Sequence, residues 1–365
     1  MAIHISVLAY ICCLGFFCYF NKKPNKKLNT WFTILALFAV FLVQALRSYQ
    51  VGFDTYAYQR AFYLVKNGVS STMTESWEPL FLLLNKVISI FTDNPQFLIA
   101  ACSVVILTGI GIFVVENTGE GEAAFFPIFL FVCMEQYFST MNLLRQSCAM
   151  AIAINIYTVL NKDSSKKGFF KAILLLLTAI LFHRSAIAMV LIILLFMVNK
   201  ITKSGIILLG FFGNACVLIF DQLLNAILRI FPYYAKYVGT RRFESNGLGR
   251  YDLLLIGIKI LVILLVFTLD ANEEKNQELY KLSTVMVFSV IMLLLQTQIA
   301  IANRVGYFYE IFFILLVPKC IHRFKAYKNQ IYFGLIAVGW ITFIYLMAFT
   351  NEQSRGCVPY YFFWE

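Results

Sequence analysis

The chain has 365 residues, of which 61% are hydrophobic and only 13% charged. That composition excludes a soluble globular domain. The formal net charge of +11 sits mostly in short segments between apolar runs, and nothing in the chain calls for a nucleic-acid partner.

A helical span needs roughly 20 mostly apolar residues. Such runs recur from end to end, at about 2–20, 28–46, 96–115, 123–140, 143–160, 169–183, 186–199, 205–230, 253–270, 281–300, 305–320 and 331–350, with ends good to a few residues. They predict an all-α polytopic integral membrane protein with about twelve transmembrane helices, forming a single membrane domain over 1–365. The first run lacks a basic start and a small-x-small exit, so it is expected to stay as a helix and not to be cleaved as a signal peptide. Most of the nine cysteines lie inside predicted spans and no CxxC pair exists, so they read as small buried hydrophobes.

Short basic loops stay cytoplasmic. Four lysine-rich clusters meet that description: Lys22–Lys27, Lys162–Lys167, Lys200–Lys203 and Lys319–Lys328. Placing all four inside puts both termini outside. It also requires Pro79–Phe91, too short for a full span, to be an interfacial helix that returns to the outer side. On this topology ten of the eleven arginines fall in the outer half. Insertion bias disfavours any cation there. The guanidinium fork, however, binds phosphate oxygens in pairs and never loses its proton. The split therefore points to an outward-facing site for a phosphate-bearing substrate.

Four places carry chemistry. The segment Arg47–Tyr58 opens an outer loop, 47–95, that ends in Trp77-Glu78-Pro79. Gly52 allows a tight turn. Asp54 can cap the helix that carries Tyr58 or act as a base. Next, Asn142–Ser147 sets Arg145 just inside a predicted span, where an arginine needs a partner or a wet cavity; Glu78 and Glu135 are the structural alternatives. Third comes His183-Arg184-Ser185. The run Phe169–Asn199, about 46 Å as one helix, has lysines at both ends and must turn. The polar trio is the apex, so a broken or re-entrant helix is expected near His183, with the apex below the outer surface. A histidine there can titrate near neutral pH and accept a hydroxyl proton. The fourth place is a set of outer segments: loop 231–252 with Tyr233, Tyr234 and Arg241, then Asn303-Arg304, then Pro359-Tyr360.

These motifs, in this order, resemble the EpsG family of Wzy-type polysaccharide polymerases. The family shows Arg–x4–Gly–x–Asp–Thr–x2–Tyr, met by Arg47, Gly52, Asp54, Thr55 and Tyr58. Glu78-Pro79, Arg145-Gln146, His183 before Ser185-Ala186, Asn303-Arg304 and Pro359-Tyr360 follow in turn. The resemblance implies a multi-pass glycosyltransferase of the bacterial cell membrane that makes exopolysaccharide, capsule or O-antigen. It would transfer a glycan from one undecaprenyl-pyrophosphate carrier onto the nonreducing end of another lipid-linked repeat unit, with no metal and no cofactor. Candidate partners are the lipid-linked oligosaccharide, the bilayer, a chain-length regulator and a flippase. The expected roles are a base at His183, then Asp54, then Glu78; pyrophosphate contacts at Arg47, Arg145, Arg304 and Arg241; and glycan contacts at Tyr58, Tyr233, Tyr234 and Tyr360. Two other readings stay open, a flippase of lipid-linked sugars and a membrane O-acyltransferase. A flippase of the repeat type would show paired broken helices, whereas only one such segment is visible.

Overall fold

The computed structural model of the protein describes residues 1–232, 247–269, 276–324, 327–349 and 354–365. They form two compact helical units, 1–193 with 326–365, and 194–325. The first contains α1 (Ala2–Tyr19), α2 (Lys26–Ala45), α3 (Thr55–Lys66), α4 (Thr72–Glu75), α5 (Pro79–Phe91), α6 (Gln96–Asn117), α7 (Phe125–Cys133), α8 (Glu135–Asn142), α9 (Leu144–Ala153), α10 (Asn155–Lys162) and α11 (Lys166–Phe182). A 3₁₀ segment, Arg184–Met189, follows, and α12 (Val190–Met197) leads out of this unit. The second unit contains α13 (Lys203–Leu218), α14 (Phe220–Ile230), α15 (Arg250–Thr268), α16 (Gln277–Leu295), α17 (Ala302–Glu310) and α18 (Phe313–Arg323); α19 (Lys328–Phe349) belongs to the first.

The chain is a multi-pass membrane protein, but twelve full spans are not what its helices provide. Among the described residues seven helices are long and apolar enough to cross a membrane, or nine if each bent pair is one span. The difference arises where the backbone leaves the helix inside an apolar run. The run 123–140 breaks at Met134, which is extended, and α8 turns by 119° into the helix that starts at Leu144. Hydropathy cannot register such breaks, because buried polar groups of the protein satisfy the backbone in place of water.

Two ends of the first unit are chemically distinct. At one, Lys26 Nζ lies 3.0 Å from Glu116 Oε2, and Lys162 joins the same carboxylate. At the other, 20 residues of α2 away, or about 30 Å, lie Arg47 and the residues bonded to it. This matches the separation of lysines from arginines read from the sequence. α5 starts and finishes at the arginine end: Glu78 precedes it, and Gln96 just beyond it donates to the Arg47 carbonyl at 3.0 Å. It exposes Leu83, Val87, Ile90 and Phe91, the apolar face expected of an interfacial helix.

Close packing fixes the middle of this unit. A Cβ on Gly109 would stand 2.3 Å from the Ala151 carbonyl, so only glycine lets α6 approach α9 this closely. Asn155 Nδ2 ties the two helices by donating to both the Gly109 and Ala151 carbonyls, at 3.0 and 2.9 Å. In the second unit, Lys259 on α15 is buried with Glu310 of α17 (3.2 Å) and Ser289 of α16 (3.0 Å). A lysine in an apolar helix needs such partners, since an unpaired charge at that depth costs at least ~2.5 kcal/mol.

Candidate functional site

The site grows from Glu78. It occupies the N-cap of α5, with Pro79 at the first helical position, where its missing N–H is not needed. The Glu78 carboxylate does not cap its own helix. It reaches across to two other elements instead. Oε2 accepts from Arg145 Nη1 of α9 at 2.7 Å. Oε1 faces His183 Nδ1 at 3.0 Å and accepts the backbone N–H of Arg184 at 3.2 Å. The Glu78 side chain is 5% exposed, whereas those of Arg145 and His183 are 21% and 19% exposed. The carboxylate is thus sealed in, and the two groups it holds are partly accessible. Burial alone would push its carboxyl up. The hydrogen bond and charge of His183, with Arg145 and the Arg184 amide, hold it down at about 2.

His183 ends α11 with an extended backbone, its N–H still bonded to Ala179 and its carbonyl accepting from Ala186. The apolar run thus breaks at the residue expected. Where the ring donates its Nδ1 proton to the carboxylate, Nε2 is left as the acceptor. The guanidinium of Arg145 also lies over Trp77, 5.1 Å from the ring centroid. Trp77 packs in turn on Tyr58 and Phe81. The phenol of Tyr58 lies within electrostatic reach of Arg145 and of Asp54, the N-cap residue of the same helix. Asp54 makes no side-chain cap hydrogen bond. Arg145, Glu78, His183, Tyr58 and Asp54 are therefore neighbours, although they come from four segments of the chain.

Arg47 belongs to the frame beneath them. It is fully buried, and it donates to the Gln44 carbonyl, to the Met141 carbonyl at 2.7 Å and to Thr55 Oγ1 at 3.4 Å. Gln44 lies in the last turn of α2 and Met141 in the last turn of α8, where carbonyls lack intrahelical partners and the helix dipole favours a cation. One guanidinium thus closes two helix ends. Burial pulls its pKa down to about 10, which leaves it charged at neutral pH. Gly52 makes the neighbouring turn at φ +91°; a Cβ there would meet Asn142 Oδ1 at 2.9 Å. The C-terminal tail covers this loop. Ser48 and Gly52 donate to the Tyr361 and Gly356 carbonyls, both at 2.9 Å, and Arg47 forms an antiparallel bridge with Phe362.

Other expected residues have different surroundings. Tyr58 is buried under Trp77 and Phe81, and the Tyr360 hydroxyl donates to the Val43 carbonyl at 2.9 Å while its ring packs edge-on against His4. Tyr58 presents no open ring to a sugar, whereas Tyr360 is half-buried. Arg304 is exposed on α17 in the second unit. Tyr233, Tyr234 and Arg241 lie outside the described residues. Glu135, one alternative partner for Arg145, pairs instead with Arg355 at 2.7 Å. Sequence reasoning missed Trp77 as the platform under Arg145. It also missed the Lys259–Glu310 pair, for which a charged residue inside an apolar run was the available signal.

No curated protein and no solved structure matches the chain. The model of the EpsG family matches residues 29–362, nearly the whole length and every segment that builds the site. The chain belongs to the EpsG family, which suggests a membrane protein of polysaccharide polymerisation.

Proposed function

We propose that the protein is a polysaccharide polymerase at the outer face of the bacterial cell membrane. It transfers a glycan from one polyprenyl-pyrophosphate carrier onto the nonreducing end of a second lipid-linked unit. The observation that supports this most is Glu78 holding an arginine and a histidine together, each partly accessible, at the arginine end of the first unit.

The reaction needs two things on either side of one anomeric carbon. A hydroxyl must lose its proton as its oxygen attacks, and the pyrophosphate must leave with the electrons of the breaking C–O bond. His183 suits the first task. Glu78 orients the ring through Nδ1, and Nε2 takes the hydroxyl proton, the same division of labour as in other carboxylate–histidine pairs. Arg145 suits the second, because a fixed cation stabilises charge that develops on the leaving oxygen. Trp77 and Glu78 hold its plane before substrate arrives. Glu78 then acts as a positioning residue, and Asp54 is the alternative base.

The test is His183→Ala in cells that depend on this gene for polymer. Normal insertion with loss of polymer, and with single repeat units on lipid accumulating outside, is expected. Units trapped inside would indicate a flippase, and long unacylated polymer an acyltransferase. Polymer of ordinary length and amount would remove His183 from the mechanism and move the role to Asp54.

A further inference from the structure

The polymerase reading requires a cation close to the base, because the attacked carbon carries the leaving diphosphate oxygen. The arginines of the first unit are not equal candidates. Arg47 is fully buried and bonded to two helix ends. Arg355 gives Nε and Nη2 to Ser139 and Glu135. Arg145 gives Nη1 to Glu78, whose negative charge partly cancels its own. A diphosphate carries more charge than the remainder of Arg145 can match.

Arg184 differs in three respects. It is exposed. It follows His183 directly, so the two Cα atoms stand about 3.8 Å apart. Its backbone N–H bonds the same Glu78 oxygen that faces the His183 ring, so one carboxylate sets ring and arginine backbone together. Two polar atoms, Ser185 Oγ on the next residue and Arg145 Nε on the arginine that shares Glu78 with it, are buried without a hydrogen-bond partner among the described residues. Buried donors are rarely left so, and both are of the kind that phosphate oxygens satisfy. An arginine between two apolar helical arms must also face water or an anion.

We propose that Arg184 grips the diphosphate of the lipid-linked substrate, which rests on the polymerase reading above. Phosphate oxygens at this depth have two sources, the carrier's diphosphate and the headgroups of bilayer lipids. The pairing of Arg184 with the base favours the first, because a headgroup has no reason to be registered against His183.

The experiment uses the full-length protein in phosphatidylcholine nanodiscs and a radiolabelled long-chain polyprenyl diphosphate. Saturable binding by the wild type is expected, with Kd raised roughly tenfold or more in Arg184→Gln, as loss of a charge-assisted contact implies. Arg184→Lys should recover part of it. Arg60→Gln, which removes another exposed arginine of this unit, should keep wild-type affinity. Wild-type Kd in Arg184→Gln would overturn the inference alone, as would an equal loss in Arg60→Gln, which signals a diffuse field. A headgroup role would appear as an unchanged Kd with a lower Tm only in discs containing phosphatidylglycerol, and it too overturns the proposal. No saturable binding by the wild type would sink the polymerase reading and this inference with it.

Discussion

Glu78→Gln keeps the volume and shape of a buried side chain and removes only its charge. Arg145 Nη1 then faces a neutral amide, and His183 and the Arg184 N–H share a weaker acceptor. Holding the carboxyl at about 2 instead of 4.5 corresponds to about 3 kcal/mol of stabilisation of the folded protein. The carboxylate's partners His183 and Arg145 are partly exposed, so solvent screening leaves on the order of 1–3 kcal/mol of this. Because the folded value is the lower one, the contribution is fully present above pH 4.5 and is lost as pH falls towards 2. Thermal unfolding of the protein in nanodiscs, followed by tryptophan fluorescence between pH 7 and 3, measures it. The variant should melt several degrees lower at pH 7, and its deficit should shrink with acid as the wild type loses the same contribution. Polymer synthesis should fall with it, since the histidine and the arginine both lose their anchor. A variant as stable as the wild type at pH 7, with an unchanged acid profile, would refute the view that Glu78 is the ionic centre of the site.

Arg47→Lys should cost about 2–4 kcal/mol, because one ammonium cannot serve the carbonyls of both α2 and α8; an unfolding midpoint equal to wild type would argue against it. Lys259→Met should cost about 3–5 kcal/mol by leaving Glu310 buried without its partner, and Lys259→Met with Glu310→Leu should regain most of that. Additive losses in the double variant would show that the pair is not coupled. For topology, a cysteine at Gln50 in intact cells should react with an impermeant thiol reagent and one at Ser164 should not; the reverse pattern would invert the sidedness.

The sequence disclosed what depends on composition and order. Apolar runs announced helices, and the lysine–arginine split announced two unlike ends, seen in the first unit as Lys26 with Lys162 and as Arg47 with Arg145 and Arg355. The break at His183 followed from the length of the run, the lysines at both its ends and the polar trio between them. Partnerships between distant residues were not legible. Two carboxylates were available to Arg145, and only packing decides that Glu78 takes it while Glu135 goes to Arg355. Arg47 misled for a related reason. An arginine just past a helix end can bind an outside anion or the carbonyls of that end, and the sequence does not reveal that a second helix terminates against the same guanidinium.

On the polymerase reading, the position of Glu78 explains why a carboxylate belongs in a site for an anion. An arginine near the depth of a bilayer resists insertion unless it is paired, and a histidine acts as a base only when one tautomer is held. A buried carboxylate between them pairs the arginine and orients the ring, so the site is assembled before substrate arrives. An incoming diphosphate then need not compete for every donor, because Glu78 engages one Nη of Arg145, whose side chain stays partly accessible. The same arrangement separates two roles that a cluster of arginines alone would confuse: the groups that hold the protein together, represented by Arg47, and the groups that meet the substrate. That separation predicts different signatures in mutants. Loss at Arg47 should lower stability and activity together. Loss at His183 should remove activity altogether while costing only the part of the Glu78 stabilisation that its own bond supplies.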